Sequence, residues 1–203
     1  MKKLKYIFLL AGALSLASCE SWLDEDPQYT INTKTQFSTV ENARQALMGC
    51  YGYMSADNAY GQAWQEVTFG YCGFGWSQTN GSSTDLLVSM DGGIDETINT
   101  MAWRGMYKVI GETNAFIANI ADSPLESADK LPMEAAARFL RALAYYNLAV
   151  TYGDVPLKTT PSAHDGVAVP RSPKNEVFEL VRTDWEFAYE NLPEKDDDGF
   201  ATN

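Results

Sequence analysis

The chain has 203 residues, of which 45% are hydrophobic, and it sets 15 Lys and Arg against 27 Asp and Glu for a net charge of -12. That balance excludes a nucleic-acid binder, because phosphate backbones recruit Lys and Arg, and it argues against docking on anionic lipid through the protein itself. Three cysteines and one histidine are too few for a disulfide framework or an ordinary zinc site.

Lys2, Lys3 and Lys5 form a basic start, and Tyr6 to Leu16 follow as eleven uncharged residues. A bilayer-spanning helix needs about 20 apolar residues, so this run reads as a secretory signal. It ends in Leu16-Ala17-Ser18-Cys19, which resembles a lipobox. The small residues let a peptidase reach the backbone, and the Cys19 thiol is expected to take a diacylglyceryl group. Two or three acyl chains, at about 0.8 kcal/mol per buried CH2, hold a protein durably on a membrane. Cleavage before Cys19 leaves 185 residues with 12 basic and 27 acidic side chains, a net charge of -15. Residues 1–18 are therefore read as a lipoprotein signal peptide and 36–203 as the helical domain. Between them, 19–35 read as the lipidated cysteine and an acidic tether with Asp24, Glu25 and Asp26. Cys50 and Cys72 can pair in an exported protein or stay as buried free thiols, and their number does not decide between the two.

The first helix is expected over about 39–55, with Ser38 and Glu41 in capping-box spacing and Val40, Ala43, Leu47, Tyr51 and Met54 in the apolar stripe. Residues 56–94 are read as a long loop region, broken by Gly61, Gly70, Gly73, Gly75, Gly81, Gly92 and Gly93. A second helix is expected at 95–121, where Gly105 and Gly111 either weaken the helix or let a partner helix come close. A third, at 132–152, is apolar nearly all round through Ala135, Phe139, Ala142, Leu143, Tyr146 and Val150, and so predicts burial on several sides. Its alanines at 135, 142 and 149 permit tight packing, Gly153 suits the cap, and Pro156 blocks continuation. The fourth begins with Ser172 as N-cap and Pro173 at the first helical position, and its stripe runs Val177, Val181, Trp185, Ala188, Leu192.

Catalytic patterns are weak. His164 lies in a polar loop, and no His-Glu-x-x-His, Cys-x-x-Cys or Gly-x-Ser-x-Gly occurs. Asp57, Asp85, Asp91 and Asp95 invite a glycosidase or calcium reading, but loop aspartates commonly bond their own backbone. Neither catalysis, a cofactor nor a metal is expected. Arg138 and Arg141 on the apolar helix are expected to pair with an acid, Glu112 or Asp184, rather than with a ligand. The candidate binding residues are the loop aromatics Trp64, Tyr71 and Trp76 with Asn58, Asn80 and Asp85. Aromatic faces stack on the C–H side of a sugar ring while amides and carboxylates bond its hydroxyls. The same aromatics can equally fill a core beneath long loops.

The stretch Glu134-Ala-Ala-Ala-Arg-Phe-Leu-Arg-Ala-Leu-Ala-Tyr-Tyr-Asn-Leu148, followed by Tyr152-Gly-Asp-Val-Pro-Leu-Lys-Thr-Thr-Pro161, is similar to the signature helix and turn of the SusD/RagB family. Trp103, Tyr107, Ile110, Asn114, Ile117 and Ile120 resemble the preceding family helix, and Pro170-Arg-Ser-Pro173 with Val177, Phe178 and Asp184 the next. The opening Cys19-Glu-Ser-Trp-Leu-Asp also resembles that of mature members. The resemblance implies an all-α fold of tetratricopeptide-like hairpins decorated with long loops. It implies a surface-exposed, lipid-anchored, non-enzymatic outer-membrane protein that binds oligosaccharide and delivers it to a SusC-like TonB-dependent barrel. The family also includes peptide binders, and a member that only scaffolds a complex is the further alternative. Starch-binding relatives carry aromatics after a region resembling Thr84-Asp85, whereas this chain reads Leu86-Leu-Val-Ser-Met-Asp-Gly-Gly93, so starch specificity does not carry over. Family members are considerably longer, so the chain is expected to be an N-terminal portion. Stacked hairpins typically need about three units to bury their faces.

Overall fold

The computed structural model describes residues 33–72, 75–76, 88–90, 97–161 and 168–194. The described chain is helical: α1 (Thr33–Gln36), α2 (Val40–Met54), a π-type turn (Asp57–Gly61), α3 (Ala63–Gly70), α4 (Thr97–Ala121), α5 (Ser127–Tyr152) and α6 (Lys174–Asn191). A two-residue antiparallel pair, β1 (Val155–Pro156) and β2 (Arg171–Ser172), joins α5 to α6, with Val155 opposite Ser172. Helices α4 and α5 form a hairpin about the turn 122–126, α6 packs on α5, and α2 lies across α4 and α5. Their shared core contains Leu47, Met106, Ile110, Ile120, Tyr145 and Leu148. Full burial of each such aliphatic side chain contributes roughly 1.5–3 kcal/mol.

Several expected boundaries move. The cap of α2 is Thr39, whose hydroxyl accepts the Asn42 N–H at 3.3 Å, while Ser38 donates its own hydroxyl to the Thr35 carbonyl. The stretch 56–94 was expected to be loop, yet it contains the π-type turn and α3. Buried Ala63, Trp64, Val67 and Gly70 fall at helical spacing, which the flanking glycines obscure in the sequence. Helix α5 begins at Ser127 rather than 132 and carries Pro132 inside it. Its start is anchored by Lys130, whose ammonium donates to the Ala121 carbonyl at the end of α4. Ser172 is not an N-cap, since it pairs in β2, and α6 starts after Pro173. The Asp154 carboxylate, twenty residues upstream, accepts the Lys174 N–H at 2.9 Å instead.

Gly153 acts as expected, and Gly105 does so in part. Gly153 caps α5 at φ +74°, a backbone state that favours glycine. A Cβ on Gly105 would collide with the Asn58 carbonyl, so that glycine lets the π-type turn lie directly on α4. The close neighbour is a turn, not a helix. Gly111 is different, because a Cβ there meets nothing within 4 Å.

Helix α5 is buried on several sides, as expected, against α2, α4 and α6, but not all round. Ala135, Ala142 and Ala149 are fully buried, but Phe139, Tyr146 and Val150 are 39%, 41% and 52% exposed. Tyr146 also lines an open apolar groove of about 480 Å³ with Phe178, Val181, Trp185 and Tyr189. The Trp185 indole N–H is buried there without a hydrogen-bond partner among the described residues.

A polar lock ties the post-α5 turn to three helices. Arg141 grips Asp184 with two bonds of 2.8 Å and donates a third to the Asn114 side-chain oxygen at 2.8 Å. Asn114 in turn donates to the carbonyls of Lys158 at 3.0 Å and Thr160 at 3.3 Å. The Tyr145 hydroxyl accepts the Lys158 N–H at 2.6 Å and donates to the Lys158 carbonyl at 2.8 Å. Burial pushes that phenol up to about 12. Arg138 adds Glu134 at 2.6 Å and Asp184 at 3.4 Å. The expected acid partner is therefore Asp184, while Glu112 belongs to Lys108 on the surface. The network leaves each buried charge paired.

Candidate functional site

The loop aromatics separate by burial. Trp64 is 7% exposed on the inner face of α3, with its ring 6.4 Å from that of Tyr60 in an edge contact. It faces the core and offers no free ring face outward. Tyr71 and Trp76 leave the C-terminal end of α3 and are 41% and 78% exposed. Phe69, at the same end, is 55% exposed. Gly75 fixes the chain beside it: a Cβ there would approach the Val88 side chain at 3.0 Å and the Phe69 ring at 3.2 Å. That packing sets Trp76 on the outside. Asn58 is half-buried, with its carbonyl against Gly105. Asn80, Asp85, Cys19 and His164 lie outside the described residues.

A ribbon of aromatic side chains runs from this rim along α4. The Asn99 side chain donates to the Tyr71 hydroxyl at 3.0 Å, and the Asn99 carbonyl accepts from the Tyr152 hydroxyl at 3.1 Å. The Tyr152 ring meets Trp103 edge-on at 5.0 Å, and Trp103 meets Tyr107 at 5.0 Å. Tyr107 donates to the Pro156 carbonyl at 2.7 Å. Burial raises the Tyr107 and Tyr152 phenols, the latter to about 12, so both remain neutral donors. The ribbon ends at a cavity of about 350 Å³ between α4 and the segments 156–158 and 168–169. Sequence reading placed Trp103 and Tyr107 on the helix but did not mark them as candidates. Their i,i+4 spacing, with Tyr152 at the end of the neighbouring helix, was the available signal.

Cys50 is buried, and burial pushes its thiol up to about 12, whereas Cys72 is exposed; neither is in a disulfide. Of the two alternatives, the free thiols are found, and one of the two is buried. Among the described residues, no group of three or more His, Cys, Asp or Glu could hold a metal ion. Nor is any helix among them long and apolar enough to cross a membrane. The arrangement offers stacking faces and hydrogen-bond donors.

A SusD-like family model, described as starch-binding and associating with the outer membrane, matches residues 21–202. SusD-like protein P25 of Formosa agariphila is 25% identical over 206 residues, covering 94% of this chain and 38% of the relative. The chain thus spans less than two-fifths of that relative's length. A laminarin-binding SusD-like protein has a similar fold, with a TM-score of 0.66 at 23% identity, over 79% of this chain and 36% of its own. A structure solved with xylogluco-oligosaccharide gives a TM-score of 0.68 at 23% identity, over 79% and 32%. At that identity the likeness is one of fold, and it is the helical, hairpin-based fold seen here. The match to the family model spans nearly the whole chain, and the chain belongs to the SusD-like family.

Proposed function

We propose that this protein captures oligosaccharides outside the outer membrane, held there by lipid on Cys19, and hands them to a SusC-like TonB-dependent barrel. No bond in the ligand is broken. The observation that carries the reading is Trp76, a tryptophan 78% exposed beside a tightly packed glycine, past the end of a helix whose own tryptophan, Trp64, is buried. An indole that open to water does nothing for the fold, and its face is suited to the C–H side of a sugar ring. Tyr71 extends the same surface, while Asn58, Asn80 and Asp85 supply amide and carboxylate groups for hydroxyls. Trp64 acts from beneath, by holding α3. Membership of a family described as starch-binding and associating with the outer membrane supports both the ligand class and the location. The two relatives of like fold associated with laminarin and xylogluco-oligosaccharide support a saccharide over a peptide.

Calorimetric titration of the folded full chain with a panel of oligosaccharides and peptides tests the reading. The expected result is heat of binding for saccharides with no product in the cell afterwards. Turnover, a preference for peptides, or no binding at all by a folded chain would contradict it.

A further inference from the structure

We infer that the cavity between α4 and the strand pair is a subsite for an acidic sugar, a uronate or a sulfated residue of the captured oligosaccharide. The inference rests on the reading above and names the chemical class of its ligand. At about 350 Å³ the cavity accommodates one sugar ring, at the low end of the roughly 300–1,000 Å³ usual for small-molecule sites. One wall is aromatic, formed by Trp103 and Tyr107, and the ribbon through Tyr152 and Asn99 connects it to Tyr71 on the exposed rim. The cavity's aromatic wall is thus in contact with the rim through protein side chains.

The floor is Gly111. Gly105, one face away on the same helix, has a packing reason to be glycine, because the Asn58 carbonyl lies against it. Gly111 has none, since its Cβ would meet open space, yet glycine inside a helix is unfavourable. Bare helix backbone facing a cavity is what close approach of a ligand requires.

The charge is supplied by Lys158 and Arg171. Lys158 lines the cavity, its backbone pinned by Tyr145 and Asn114. Arg171 stands at the edge, its guanidinium 5.5 Å from the centre of the Trp103 ring. One Arg171 nitrogen donates to the Asp154 carbonyl, which orients the group and leaves other N–H donors over. Among the described residues neither cation has a carboxylate partner, a state they share with Arg104, Lys130 and Lys174, while Lys108, Arg138, Arg141 and Arg182 are paired. The nearby Asp154 carboxylate is occupied by the Lys174 N–H. In a chain of net charge -12, two cations held beside an aromatic wall fit a carboxylate or sulfate carried on a sugar ring. A guanidinium matches such an anion with paired N–H bonds.

The test titrates the full chain with a tetragalacturonide, with the same oligomer after reduction of its carboxylates to hydroxymethyl groups, and with a sulfated tetrasaccharide. At least one anionic oligomer is expected to bind about tenfold or more tighter than the neutral one, with affinity falling as salt rises. Lys158→Met is expected to erase that preference while retaining binding of the neutral oligomer. Gly111→Leu is expected to weaken the anionic ligand in a chain whose circular dichroism is unchanged. Equal affinity for charged and neutral oligomers, or a preference untouched by both variants, overturns the subsite while leaving oligosaccharide capture standing. Failure of every saccharide to bind overturns both.

Discussion

The turn at 153–160 and the rim at 69–76 both set polar and aromatic groups beside helices, and they use them in opposite ways. In the turn, every named polar group is spent on the protein: Arg141 on Asp184 and Asn114, Asn114 on two carbonyls, Tyr145 on both backbone groups of Lys158. At the rim, Trp76 faces solvent, while the Tyr71 hydroxyl accepts from Asn99 and the Cys72 thiol donates to the Phe69 carbonyl. The first region explains how three helices and a turn keep one geometry. The second has no such structural explanation, which is why it is assigned to ligand. Removing a group from the turn should therefore cost stability, and removing one from the rim should cost binding.

The largest expected effect comes from breaking the lock. Asp184→Ala leaves the Arg141 guanidinium buried and unpaired and is expected to destabilise the fold by about 3–5 kcal/mol, measured by urea denaturation. A loss under 1 kcal/mol would show that water or a neighbour replaces the carboxylate. Gly105→Ala pushes a Cβ into the Asn58 carbonyl and is expected to cost about 1–3 kcal/mol. Gly111→Ala on the same helix is expected to gain up to about 1 kcal/mol, so paired melting curves of the two variants isolate the contact from helix propensity. Tyr145→Phe orphans the Lys158 N–H, while the Lys158 carbonyl keeps its bond from Asn114, at about 1–3 kcal/mol.

A smaller contrast concerns the thiols. Burial holds the Cys50 thiol up to about 12, so at pH 8 it stays protonated and shielded, while Cys72 is exposed. Mass spectrometry after brief alkylation of the folded chain should find label on Cys72 and none on Cys50. Equal labelling would mean that α2 opens readily.

The fold was largely legible because its helices carry apolar stripes with clear period, and because Gly153 and Pro156 mark the end of α5. The errors were physical too. Helix α3 was hidden because its eight residues sit between glycines, and the stripe Ala63, Trp64, Val67, Gly70 is short enough to pass for loop. The start of α5 was placed at 132, where the apolar run begins, whereas the helix begins five residues earlier in the polar stretch Ser127-Ala-Asp-Lys130. The cap of α6 was unreadable locally, since Asp154 reaches it from across the strand pair. An acid partner for Arg141 was legible because an unpaired charge on an apolar helix is costly, but the choice of Asp184 over Glu112 needed the packing. The aromatics were legible as a group but not one by one: Trp64 and Trp76 have the same side chain, and only packing tells which faces inward. The ribbon through Tyr152, Trp103 and Tyr107 joins residues from two helices, so no single stretch of sequence displays it.

The central claim is that Trp76 serves ligand and not fold, and Trp76→Ala tests it most directly. Calorimetry of both chains against the oligosaccharide that the unmodified protein binds best should be run beside their thermal melts. The account predicts a melt unchanged within about 0.5 kcal/mol and affinity reduced by about tenfold or more, the loss of a stacking face. Equal affinity in the two chains, or a variant that unfolds, would contradict it.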